Sequence, residues 1–372
     1  MLSAWDDYPI HQTPMPIAHA DSNDSARYEQ YWFGAYDRDA STAVGFGLTL
    51  SPNLGVVDGA FSVTRDGVQE SVFAAGLMEP DRRSMRVGPL AIEVVEPMSV
   101  LRITAEDERG LGADITFRRI TEPVEEPRTI RTQGPLTMSD RTRLIQFGTA
   151  EGEMRVGGDR VELDPAQWLS VRDRSWGSRS THGSAGAPRY VPGLPSTGDA
   201  WFVFSVLHFP DECLHAVWHE DRHGNRHGPQ GTVLPLDTAT GARGPVLTST
   251  VEADIHYVPG TRWPGKGTVL RFGPRGSVDR CVEVEPLVPF QMKGLGYTHP
   301  GHAFGAWSGA PSVDRESWTI AELDPRDPTF LHRQSVSRVR RADGVEGVGI
   351  FEHRVAGPHV PSGVPEGVEP PL

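Results

Sequence analysis

The sequence predicts an all-β protein folded as two antiparallel barrel-like domains in tandem. Three observations carry this expectation. Val44, Phe46, Leu48 and Leu50 alternate with Gly45, Gly47 and Thr49, the period of two that marks a half-buried strand. Turn chemistry is dense, with 41 glycines and 32 prolines in 372 residues, as expected of many short strands joined by tight turns. The first half holds no amphipathic helical pattern of about 12 residues. The length exceeds that of a usual single domain, which favours two.

Taken in chain order, residues 1–27 are polar and interrupted by prolines and predict a loosely attached arm. The first barrel is expected over 28–164. "YEQYWFGAY" and "STAVGFGLTLSPN" open it, "FSVTRDGVQESVF" reads as a hairpin around Asp66-Gly67, and "MSVLRIT", "ADITFRRI" and "RLIQFGTAEGEMRVGGDRVEL" continue the rhythm. Glu122 to Ile130 carries two prolines and three glutamates and reads as a solvated loop. The second barrel is expected over 165–357, with "DAWFVFSVLHF" apolar on both faces and therefore central, and a last hairpin around Asp343-Gly344. Residues 358–372 are proline-rich and predict an extended tail.

A net charge of -13 argues against nucleic acid and against anionic membrane surfaces. No apolar run approaches the roughly 18 residues of a membrane span, and the start lacks the basic and apolar regions of a signal peptide, so a cytoplasmic location is expected. Cys213 and Cys281 are expected to be reduced, with no zinc spacing around them. A small molecule is the expected partner.

Chemistry concentrates in "SVRDRSWGSRS". On a regular strand Arg172, Arg174 and Trp176 share one face, and Asp173 and Ser175 the other. Asp173 either fixes a structural ion pair or, against an apolar wall, holds its proton long enough to act as an acid. In "KGLGYTHPGHAFGAW", glycines surround Tyr297, His299 and His302, with Phe304 and Trp307 behind, which suits a loop shaped around a ligand or one stapled to a barrel. "GIFEHRV" sets Glu352 beside His353, and only one of these neighbours can point into a given barrel. His208, His215, His219, His223 and His227 are a weak metal signal, since spacing on a strand supplies too few convergent ligands; no metal is expected. Trp32 and Tyr36 share a face and read as core. Nucleotide loops and a serine-hydrolase elbow are not found, and no cofactor is expected.

In this order, "VRDRSWGSR", "GLGYTHPGHAFGAW" and "GIFEHRVAGPHVPSG" resemble the bacterial tandem lipocalin-like family related to hydroxyneurosporene synthase, the carotenoid 1,2-hydratase, and through its fold the lipocalin-like Diels-Alderases. The resemblance implies two calycin-type barrels side by side. It implies protonation of an alkene by an aspartate with aromatic and histidine neighbours, followed by addition of water. Asp173 and Trp176 match that aspartate and its aromatic neighbour, with Tyr297 and His299 as companions. The expected activity is that of a cofactor-independent hydratase, isomerase or cyclase on an apolar, alkene-bearing terpenoid, polyketide or aromatic metabolite. Arg172, Arg174, Arg179, His302, Trp307, Glu352 and His353 would surround the substrate. The alternative is a non-catalytic carrier whose arginines grip a carboxylate or phenolate.

Overall fold

A computed structural model of the chain describes residues 2–365 apart from 11–13, 15, 107–109, 135, 180–199, 237–246 and 274–279. These residues form two strongly curled antiparallel sheets, each a lipocalin-like half-barrel, and no α-helix. The first sheet runs in the order Ser312–Thr319, Val68–Leu77, Val56–Arg65, Thr42–Ser51, Arg27–Asp37, Trp168–Arg179, Leu136–Val156, Gly112–Arg119, Val100–Glu106, Leu90–Glu96 and Arg86–Val87. Val124–Gln133 and Asp159–Leu163 also pair with the long strand Leu136–Val156. The second sheet runs Leu247–Ser249, Arg226–Pro235, Glu212–Glu220, Trp201–His208, Glu346–Val355, Arg333–Arg341, Arg280–Gln291, Thr268–Phe272 and Val251–Asp254. The hairpins at Asp66-Gly67 and Asp343-Gly344 stand where the turn residues place them.

Three apolar layers follow from the two-residue period. In Arg27–Asp37, Tyr31, Phe33 and Ala35 enter the first half-barrel, while Trp32 and Tyr36 enter a layer shared by the two sheets. In Trp201–His208, Val203 and Leu207 fill the second half-barrel, and Phe204 and Val206 fill the shared layer. Burial of each large apolar side chain contributes about 1.5–3 kcal/mol, so the two sheets are held together by a core and not by surface contacts alone.

Four expectations change. Trp168–Arg179 does not begin the second barrel; it lies between Arg27–Asp37 and Leu136–Val156 at the centre of the first sheet, so the change of sheet falls after Arg179 and not at Pro165. The start of the chain is pinned, because Asp7 is buried against Arg172 and Pro9 accepts two hydrogen bonds from Arg82. Glu122 to Ile130 is largely strand, since Val124–Gln133 pairs with Leu136–Val156 and buries Glu126. The tail from Pro358 to Pro365 is compact: His359 is buried and bridges to Val364, whereas 366–372 lie outside the described residues. No helix among the described residues is long and apolar enough to cross a membrane.

Candidate active site

Between the sheets lies a cavity of about 260 Å³. Its floor comes from the first sheet. Asp173 stands opposite Trp32 on one neighbouring strand and opposite Ile145 on the other. Ser175 lies one step further on the same face, between Gln30 and Arg143. The second sheet supplies Phe202, Phe204, His219, Gln334, Glu352 and Arg354, and His332 joins them from the position just before Arg333–Arg341. Tyr297 closes one end from the loop after Arg280–Gln291, where its hydroxyl meets the Gln30 amide at 3.3 Å. That loop can press on the first sheet because residue 294 is glycine: a Cβ there would stand 2.3 Å from Gln69 Nε2 and 2.7 Å from Ser71 Oγ.

The Asp173 side chain is 14% exposed, enclosed yet reachable. Burial pushes its pKa up to about 6; Arg143 pulls it down, and the charges of Glu126 and Glu352 push it up again. Arg143 is held mainly by another carboxylate. Its Nε donates to Glu126 Oε2 at 2.7 Å, while Nη1 reaches Asp173 Oδ2 only at 3.4 Å. Glu126 is further anchored by His215 Nε2 at 2.9 Å. Burial opposes its charge, but Arg143 and His215 outweigh burial and hold Glu126 down at about 2. One carboxylate is thereby fixed as an anion and the other left near neutrality, the separation that lets a single site run acid chemistry.

Glu352 faces Asp173's wall from the second sheet, accepting from His332 Nε2 at 2.5 Å and Gln334 Nε2 at 2.6 Å. Arg131, Arg141, Arg143, Arg179 and Arg354 also line the cavity. His219 stacks on Phe202 at 4.6 Å, and burial, followed by the charges of Arg141, Arg131, Arg143 and Arg354, drives its pKa well below the usual value. Burial also lowers the pKa of Arg141, helped by the charge of Arg143. Three buried donors on this wall have no protein acceptor: Trp32 Nε1, Arg143 Nη2 and Arg179 Nη2. Unpaired buried donors are costly, and these three stand on a wall that also carries the rings of Trp32, Phe202 and Phe204.

Of the residues singled out in the sequence, Asp173, Arg179, Tyr297 and Glu352 meet here. Arg172 and Arg174 do not, because the strand alternation turns them into the first half-barrel, where they pair with Asp7 and Glu29. Trp176 follows them and lies against the Arg174 guanidinium at 5.3 Å. His353 turns away from Glu352 into the second half-barrel and meets Tyr257. His302 and Trp307 line a separate cavity of about 210 Å³ with Asp58. His299 packs beside it on Phe73. Its Nδ1 accepts from the backbone of Gly301 and His302, and Nε2 meets Glu316 at 3.0 Å. This tautomer places the proton on the nitrogen that a cation in the His299, His302 and Glu316 cluster would need.

Sequence reading passed over Trp32 as core, Glu126 as loop and His219 as part of a weak run, and did not weigh Arg141, Arg143, His332 or Gln334. Trp32 alone carried a usable signal: a buried indole on a central strand needs a partner for its N–H.

A family model described as "Family of unknown function (DUF8625)" matches residues 2–365. No curated protein is detectably similar in sequence. Among solved structures, kievitone hydratase from Nectria haematococca is similar at a TM-score of 0.54 with 15% identity, over 88% of this chain and 89% of that one. A protein described as an AttH candidate from Nitrosomonas europaea is similar at 0.55 with 11% identity, over 89% and 93%. At these identities the likeness is one of fold, and it supports the tandem lipocalin-like architecture.

Proposed function

The chain belongs to DUF8625, a family of unknown function, and from its cavity we propose a cofactor-independent hydratase, isomerase or cyclase acting on an apolar alkene that carries oxygen substituents. The observation that carries this reading is the Asp173 carboxyl, raised to about 6 by burial in an aromatic-lined cavity, which is where a general acid is most effective near neutral pH. The name of kievitone hydratase, a neighbour in fold, supports the same reaction class.

Asp173 gives its proton to one alkene carbon. The positive charge on the other carbon faces the rings of Trp32, Phe204 and Tyr297. In a hydration, water held by Glu352 adds to that carbon and its proton passes to Glu352, which His332 and Gln334 keep oriented. In a cyclisation a second double bond of the same molecule attacks instead; in an isomerisation a neighbouring proton leaves to Glu352. Trp32, Arg143 and Arg179 donate to the substrate's oxygens, fixing its orientation.

The test begins with protein purified from its own host. A bound molecule is identified by native mass spectrometry and then incubated with the protein in D2O. Wild-type protein should place deuterium on carbon, and Asp173→Asn should not. A bound molecule that gains no deuterium with wild-type protein would overturn the proposal and leave a carrier.

A further inference from the structure

The mouth of the second half-barrel holds a larger cavity, about 670 Å³, lined in part by Ile255, Tyr257, Val258, Pro259, His359 and Ser362. Its polar side chains form a chain of contacts. Glu220 Oε1 accepts from Trp218 Nε1 at 2.8 Å and from Arg226 Nε at 3.0 Å, while Oε2 meets His359 Nε2 at 3.0 Å. His359 Nδ1 in turn meets Ser362 Oγ at 2.7 Å. Burial opposes the charge on Glu220, but its hydrogen bonds from His359 and Trp218 outweigh burial and hold its pKa below the usual value. An ionised Glu220 accepts a hydrogen bond from Nε2–H of His359, so the Nδ1 lone pair is turned to the serine hydroxyl.

The geometry is held firmly. His359 and Glu220 are buried, Trp201 stacks on the imidazole at 5.7 Å, and His359 and Val364 exchange backbone hydrogen bonds across the turn that carries Ser362. The carboxylate orients the base and the base faces the hydroxyl, as in an activated serine.

We propose that Ser362, His359 and Glu220 form a second reactive site, separate from the Asp173 cavity, which takes carboxylic esters with an apolar acyl group. Ser362 Oγ bonds to the acyl carbon as its proton moves to His359 Nδ1. The ester C–O bond breaks, and the alcohol leaves with that proton. Water then attacks the acyl-serine, giving up a proton through His359, and the carboxylic acid departs with Ser362 restored. Ile255, Val258 and Pro259 provide apolar wall for the acyl chain, and Arg226 adds positive charge to the same wall.

The test uses the full chain and an alkyl fluorophosphonate. The expected result is one adduct, mapped by peptide mass spectrometry to Ser362, absent in Ser362→Ala and formed at least ~100-fold more slowly in His359→Gln and Glu220→Gln. Ser362→Ala leaves the Asp173 cavity untouched, so deuterium incorporation there should be unchanged. No adduct on folded wild-type protein, an adduct that survives Ser362→Ala, or equal labelling in a folded His359→Gln variant would each overturn the proposal.

Discussion

Trp32 and Asp173 face each other across adjacent antiparallel strands, so the indole and the carboxyl stand side by side on one wall of the cavity. Side chains directly opposite in this way lie within about 5 Å at Cβ. Trp32 is therefore the aromatic neighbour of the aspartate, the place that sequence resemblance gave to Trp176. Its N–H has no protein acceptor, so removing it costs the fold little. We expect Trp32→Phe to keep its melting temperature within a few degrees and to weaken binding of an oxygen-bearing ligand about tenfold, a loss of ~1.4 kcal/mol. Trp176→Phe should leave binding unchanged. Calorimetric titration of both variants with the molecule recovered from the host decides between them.

Asp173→Asn should lower turnover by ~100-fold or more while raising stability at pH 7.5. The sign follows from the raised pKa. Between the ordinary value of about 4 and the folded value of about 6, the native state binds more protons than the unfolded state, so stability falls as pH rises through that window. Above it the wild-type protein carries a disfavoured buried anion that asparagine lacks. The gain should be about 2–3 kcal/mol at pH 7.5 and vanish near pH 4. Thermal melts at the two pH values measure it, and an equal gain at both would contradict the assignment.

Glu126→Gln has two separable outcomes. Breaking a buried carboxylate held by Arg143 and His215 should destabilise by about 3–5 kcal/mol. It also removes a charge that raises the pKa of Asp173 and frees Arg143 to pair with it, so the alkaline limb of the activity profile should move to lower pH. A rate-against-pH profile of the folded fraction tests the second point independently of the first.

Asp7→Ala should destabilise by about 3–5 kcal/mol, because Arg172 is fully buried and would lose its carboxylate. Ligand affinity should hold wherever the variant is folded, since Arg172 lies on the face of its strand that points away from the cavity. Denaturant unfolding and a binding titration on the same sample test both halves.

The strand rhythm, the two hairpins and a pair of antiparallel barrel-like domains were legible in the sequence because they depend on local period and turn chemistry, while the lipocalin-like architecture was implied by the resemblance of three motifs. The site was legible only where one residue announced itself. Asp173 stood out as an acid among arginines; alternation on a regular strand set it on the face opposite Arg172 and Arg174, yet both arginines were expected around the substrate, and they pair instead with Asp7 and Glu29. The partners of those two arginines were out of sight: Asp7 is 165 positions from Arg172 in the chain, and no local pattern joins them. Glu126 was hidden by its prolines, which read as loop although, among the described residues, Val124–Gln133 pairs only with Leu136–Val156 and has no second neighbouring strand that would need the missing N–H groups. The loop pair Tyr297 and His299 was split by the turn at Thr298, whose positive φ no spacing rule could supply.

The strand Ser312–Thr319 completes the edge of the first sheet by pairing with Val68–Leu77. On the ribosome that edge emerges long before its partner is made. At ~5–20 residues per second, Val68–Leu77, paired on its inner side with Val56–Arg65, waits some tens of seconds with its outer edge unpaired, the state in which edges recruit other chains. A nascent chain arrested before Ser312 would carry the Asp173 cleft's floor without its border strand, and co-expression with a chaperone that shields strand edges should matter most for such truncated forms.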